Sequence, residues 1–115
     1  MFNDELILVS RKPSAQRGPR GKVLYTEDKH AVLCEVFPVS RDEYFKGGEI
    51  GINPEFEFKV NPIEYNGEKV IEYGGRRFNI YRIYKASPDT LELYAEYLPG
   101  LNDGSNDNGG AQNDS

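Results

Sequence analysis

One alternating run and two glycine-marked turns leave this chain little choice but antiparallel β-structure. PEFEFKV, residues 54–60, puts Phe56, Phe58 and Val60 on one face and Glu55, Glu57 and Lys59 on the other, the period of two of a half-buried strand. Asn66-Gly67 supplies the positive-φ residues of a tight turn ahead of KVIEY, and Gly74-Gly75 does the same between KVIEY and RFNIYRIY, which makes a hairpin. In RFNIYRIY both alternating sets are apolar or aromatic, Phe78, Ile80 and Tyr84 against Tyr81 and Ile83, so a central strand covered on both faces is predicted. After the turn Ala86-Ser87-Pro88-Asp89, TLELYAEY closes the series. Leu91, Leu93 and Ala95 face one way, while Thr90, Glu92, Tyr94 and Glu96 give an aromatic, acidic side available to a neighbour.

Upstream the pattern is less regular. ELILVS, residues 5–10, reads as a first strand. RKPSAQRGPRGK, Arg11 to Lys22, holds five basic residues (Arg11, Lys12, Arg17, Arg20, Lys22), two prolines, two glycines and no acid, and reads as a loop or flexible basic arm. VLYTEDKHAVLCEVFPV is apolar on both sides of a polar Glu27-Asp28-Lys29-His30 centre, which fits either a hairpin or a long interrupted strand, with His30 as a turn residue. Only one stretch has helical punctuation: Ser40 can cap a helix, Glu43 can close a capping box, and Gly47-Gly48 would stop it within two turns. The expected fold is therefore all-β, a small barrel or sandwich of about six or seven mostly antiparallel strands with one short helix and a long loop. From Leu101 the sequence LNDGSNDNGGAQNDS carries no aromatic; it cannot bury enough apolar surface to offset its ordering entropy and reads as a disordered tail. The domain is thus residues 1–100 and the tail 101–115.

Composition narrows the function. With 115 residues and 37% hydrophobic content, the chain has room for one modest core that calls for partners or dense aromatic packing. A formal charge of −5 argues against nonspecific nucleic-acid binding by the surface as a whole. The single cysteine, Cys34, precludes an internal disulfide or a multi-cysteine zinc site and reads as a small core residue. No basic segment followed by an apolar one opens the chain and no apolar run approaches ~20 residues, so a soluble, unsecreted protein is expected. Gly47, Gly48 and Gly51 match neither GxGxxG nor GxxxxGK[ST] and lead into a proline and a strand, which leaves no helix N-terminus for a phosphate. One histidine and adjacent Asp42 and Glu43 do not make a nucleophile–base pair or a buried acid–base pair. No catalytic residue, cofactor or metal ligand is predicted. Tyrosines at 44, 65, 73, 81, 84, 94 and 97 either fill a small barrel or supply amphipathic contact area at a subunit interface. For the interface reading the candidates are Tyr44, Tyr81, Tyr84, Glu92, Tyr94 and Glu96. Base stacking ranks behind both, because Glu92 and Glu96 around Tyr94 oppose a phosphate backbone.

The order of these pieces, EVFPVSRDEYFKGGEIGINPEFEFKV followed by EYNGEKVIEYGGRRFNIYRIYKASPDTLELYAEY, resembles the head-closure (head-tail joining, or stopper) proteins of tailed bacteriophages over roughly residues 31–100. In that family a strand leads to an S-R-x-E-like segment, a glycine-containing loop, an alternating strand, a Y-x-G-E turn, a Y-x-G-[KR]-x-Y/F hairpin and an ELYxE-type closing strand. The matching segments here are Ser40-Arg41-Asp42-Glu43, Tyr65-Asn66-Gly67-Glu68, Tyr73-Gly74-Gly75-Arg76-Arg77-Phe78 and Glu92-Leu93-Tyr94-Ala95-Glu96.

The resemblance implies a virion protein of the head-tail interface, assembled in the host bacterial cytoplasm. It would form a homo-oligomeric ring, dodecameric by family analogy, under the portal or adaptor ring, with a tail or tail-completion protein below and packaged double-stranded DNA in the channel. It implies no membrane association. The family's long loop points into the channel and its flexible arms contact neighbouring rings. Carried onto this sequence, the closure loop is Arg41 to Asn53 and the arm Arg11 to Lys22. In a ring, Arg41, Asp42, Glu43, Lys46 and Glu49 would repeat around the axis as charged rings, and Gly47, Gly48 and Gly51 would let the loop change path before Asn53. The rival from another class is a monomeric small-barrel adaptor that binds a peptide or single-stranded nucleic acid.

Overall fold

The computed structural model describes residues 2–21 and 23–102, and the predicted tail beyond Asn102 lies outside them, as does Lys22. Six strands run β1 (Asp4–Arg17), β2 (Val23–Pro38), β3 (Pro54–Val60), β4 (Val70–Tyr73), β5 (Arg76–Ser87) and β6 (Thr90–Tyr97), with helix α1 (Arg41–Glu49) between β2 and β3. They pair antiparallel in the order β1-β2-β3-β6-β5-β4 and close into a barrel. The predicted all-β barrel with one short helix is what forms.

Closure works because each strand turns one alternating set inward. Leu6, Leu8, Val32, Cys34, Phe58, Val60, Ile71, Phe78, Leu93 and Ala95 are all but fully buried. Phe56, Phe58, Tyr73, Phe78 and Tyr97 meet at ring-centroid separations of 5.2 to 6.4 Å, mostly edge to face. Aromatic pairs of this geometry add stabilisation beyond their buried area, which suits a core this small. Burial pushes the Cys34 thiol up to about 12, so the lone cysteine is an inert core residue.

Several expectations need correction. β1 does not end at Ser10: it continues to Arg17, pairing with β2 from Asp4 opposite Cys34 to Arg17 opposite Val23. The first part of the basic segment is therefore ribbon rather than loop, with the ladder shifting register after Pro13, where a missing N–H is tolerated. β2 is likewise one 16-residue strand, and His30 sits on it opposite Leu8 and not in a turn. Its polar centre survives as strand because residues 24–31 are exposed, β2 pairing with β3 only from Glu35, and beyond Val9, the last β1 residue paired to β4, the hairpin leaves the barrel.

β5 lies between β4 and β6 as expected of a central strand, yet it is covered only at Phe78 and Ile80, and residues 82–87 are exposed. β4 is only four residues long and stops opposite Asn79, so the upper half of β5 has β6 on one side alone. Lastly, the tail reading began too early. Leu101 and Asn102 belong to a 3-10 turn, and Asn102 exchanges hydrogen bonds with the backbone N–H and C=O of Arg77.

The segment read as a long loop is mostly helix. Ser40 Oγ accepts from the Glu43 N–H at 3.0 Å, as predicted for a cap, but α1 runs nine residues, through Gly47 and Gly48. It ends at Glu49, two residues before Gly51, whose φ of +82° turns the chain. Gly47 is buried where a Cβ would meet the Pro54 ring at 2.4 Å, whereas Gly48 faces open space. The two glycines thus have different duties, and close approach of α1 to β3 depends on the first.

Candidate functional site

Two surfaces stand out, and the first is the outer wall where α1 crosses β3, β6 and β5. Alternation on these strands sends Glu57, Glu92 and Tyr94 outward, and a register shift between Ile80 and Arg82 brings Tyr81 and Arg82 to the same wall. Glu43, one turn into α1, does not reach back to complete the capping box. It accepts from Tyr81 Oη at 2.6 Å and from Arg82 Nη2 at 2.6 Å. The Arg82 guanidinium lies 4.0 Å from the Tyr94 ring centroid, and Tyr94 Oη donates to Glu92 at 2.7 Å. This chain of contacts fastens the helix to the barrel.

Its electrostatics follow from burial. The Tyr81 and Tyr94 hydroxyls are pushed well above the ordinary tyrosine range by desolvation, and next by the carboxylates of Glu43 and Glu92 that accept their protons. Burial, then the Glu92 charge, raises Glu57. Arg82 and Lys59 are the cations that partly offset these acids.

Above the wall, α1 shows solvent an apolar face. Tyr44 and Phe45 pack edge to face at 5.8 Å and remain 51% and 61% exposed, with Ile50 at 73%. A helix that hides glycine and shows aromatics is inverted relative to an ordinary amphipathic helix, and such faces mark contact sites. Asp42 and Lys46 pair across one turn at 3.3 Å, and Arg41 and Glu49 are exposed.

The second surface is the β1–β2 arm. Its root is tied by a chain of ion pairs: Arg77 on β5 contacts both Glu27 oxygens at 2.8 and 2.9 Å and Glu72 at 2.7 Å, Arg11 adds to Glu27 at 3.5 Å, and Lys29 to Glu72 at 3.3 Å. The Arg77 hydrogen bond holds Glu27 below the usual carboxylate range. These groups border an open groove of about 810 Å³ beside the C-terminal turn. Since Arg77 already serves two carboxylates, the groove offers no unpaired cation at its floor. On the arm's other side His30 Nε2 lies 2.8 Å from Glu64.

The structure thus brings together Glu43, Tyr81, Glu92 and Tyr94 out of the predicted sets. It leaves Tyr44 and Tyr84 exposed and separate, and it removes Glu96 from the interface group. Glu96 is 8% exposed and accepts from Asn79 Nδ2 at 2.9 Å and from the Asn53 N–H at 3.4 Å, so it holds the α1–β3 turn to the barrel. Arg82, Glu57, Phe45 and Arg77 were missed by sequence reasoning. The outward alternation of Glu57 was a signal for one of them; the pairings of Arg82 and Arg77 depend on strands far apart in the chain. Among the described residues no group of three histidine, cysteine or carboxylate side chains is placed to hold a metal ion, and no helix is long and apolar enough to cross a membrane. No protein-family model matches the chain, and a search of curated proteins gives no match either.

Proposed function

We propose that this protein is a structural head-tail connector that docks as a ring under a portal, closes the DNA exit channel and offers the tail its attachment surface. The observation that carries the reading is a barrel that closes on itself yet keeps the Tyr44, Phe45 and Ile50 face of α1 bare. A fold that needs no partner for its own sheet, but exposes aromatics on an anchored helix, suits a subunit whose remaining apolar area is buried by neighbours. The ordered set of motifs between residues 31 and 100 supports the same reading.

In this reading the aromatic face of α1 meets the adjacent subunit, and Arg41, Asp42, Lys46 and Glu49 repeat around the channel. A change from open to closed would start with Glu43 leaving Tyr81 and Arg82, since that carboxylate joins the first turn of α1 to the wall. Glycines then matter less for movement than the sequence suggested: Gly47 is a packing residue, and only the turn at Gly51 requires a glycine backbone.

Sedimentation with a purified portal ring tests the proposal. The protein is expected to co-sediment with the ring, and a Tyr44→Ser, Phe45→Ser double variant to lose most of that binding while keeping its thermal midpoint. A protein that stays monomeric beside the portal ring and instead binds a peptide or single-stranded oligonucleotide would establish the rival adaptor reading.

A further inference from the structure

We infer that the distal β1–β2 ribbon is a contact finger for the backbone of duplex DNA. Residues 11–26 hold five of the chain's 14 basic residues and none of its 19 acidic ones, and the ladder from Arg11 opposite Glu27 to Arg17 opposite Val23 puts Arg11, Lys12 and Arg17 on a single two-stranded ribbon whose apex turn carries Arg20. Beyond Val9 the eight β1 residues to Arg17 span about 26 Å at the ~3.3 Å rise of a strand, consistent with a molecule 47 Å long and 24 Å thick. The cations are therefore carried away from an otherwise acidic body, which is the arrangement that lets an acidic protein approach a polyanion.

Three details favour a duplex over other anions. A two-stranded antiparallel ribbon fits the ~12 Å major groove, so its charges can reach phosphates on both sides. Single strands are held by stacking on bare aromatic faces, but one face of the Tyr25 ring on this ribbon is occupied by the Arg11 guanidinium at 4.8 Å from its centroid. At the apex, Arg20 adopts φ 63° and ψ 26°, a left-handed conformation that glycine or asparagine enters at lower cost; the exposed guanidinium is what an arginine adds there. Arg11 is engaged by Glu27, so among the described side chains Lys12 and Arg20 are the phosphate contacts.

This inference goes beyond the connector reading and stands apart from it, because naked duplex and isolated protein suffice for the test and no portal is involved. Binding of a fluorescent 30-base-pair duplex of mixed sequence is followed by anisotropy in 50 to 200 mM salt. Lys12 and Arg20 together predict a contribution of about −1.8 to the slope of log K against log salt, a loss of about 12-fold across that range. The K12Q/R20N variant, in which asparagine suits the apex backbone, is expected to bind at least tenfold more weakly at 50 mM salt. Its slope should be shallower by about 1.8, with an unchanged thermal midpoint. Lys85→Gln, at an exposed lysine of β5, should behave as the parent. Absence of duplex binding at 50 mM salt, or an unchanged slope in K12Q/R20N, overturns the inference. So does equal affinity for a single strand, or a variant whose only change is weaker self-association, which would make a second copy the occupant of the arm.

Discussion

Replacing Glu43 by alanine tests whether one carboxylate really fastens α1 to the barrel. The change removes the 2.6 Å acceptor of Tyr81 Oη and the 2.6 Å partner of Arg82. A hydrogen bond to a charged group contributes about 1.5–3 kcal/mol. The Arg82 side chain is 47% exposed, so its share is held to about 0.2–1 kcal/mol. Together these predict a loss of about 2–4 kcal/mol, or about 7–30 °C in thermal midpoint for a domain of ~100 residues. Glu43→Gln keeps an acceptor for Tyr81 and should cost about 1 kcal/mol. Urea denaturation of Glu43→Ala, Tyr81→Phe and the double variant should show a coupling of about 1 kcal/mol.

A second measurement is the ultraviolet absorbance change on tyrosine ionisation. Burial, and next the Glu43 bond, raise Tyr81 above the ordinary tyrosine value of 10.0, so the folded protein holds that proton more tightly than the unfolded chain. The stabilisation is complete below pH ~10 and is lost as the pH climbs beyond it. In Glu43→Ala, Tyr81 should ionise earlier. A loss within 0.5 kcal/mol together with additive single variants would refute the anchor and leave the Gly47–Pro54 contact as what seats the helix.

Other substitutions probe the remaining features. Gly47→Ala forces a Cβ to within 2.4 Å of the Pro54 ring and should destabilise by about 1–3 kcal/mol, whereas Gly48→Ala, in open space, should stabilise by about 0.5–1 kcal/mol; thermal melts separate the two. Arg77→Gln leaves Glu27 and Glu72 without their shared cation and should cost about 1–3 kcal/mol at pH 7. Because Arg77 depresses Glu27 below the ordinary glutamate value of 4.5, that stabilisation is present above this value and is lost as the pH falls below it, so parent and variant curves should converge in acid. Glu57 is shifted the other way, by burial and then by Glu92, so stability falls as the pH rises through 4.5 and Glu57 gives up its proton. Glu57→Gln should therefore be more stable than the parent by about 0.2–1 kcal/mol at pH 7, and the gain should vanish below pH ~4.

Local periodicity was enough to read much of this molecule. The alternation of PEFEFKV and TLELYAEY, the Gly74-Gly75 hairpin and the Ser40 cap are legible because a strand face, a turn and a helix start each depend on residues within a few positions of one another. Core membership followed from the same alternation. What failed were the extents of elements: β1 and β2 lengthened because each supplies the other's backbone partners, and half of β5 lost its cover because β4 is short. Neither is visible in a window of sequence.

The candidate site divides the same way. Exposed charge on the arm and aromatic abundance were present in the residues themselves, since net charge and side-chain type need no geometry. The union of Glu43 with Tyr81 and Arg82, the burial of Glu96, and the clamp of Arg77 on Glu27, fifty residues away, exist only once the barrel has closed. Closure brings together strands distant in the chain, and a carboxylate bonds to whatever donor the register sets opposite it.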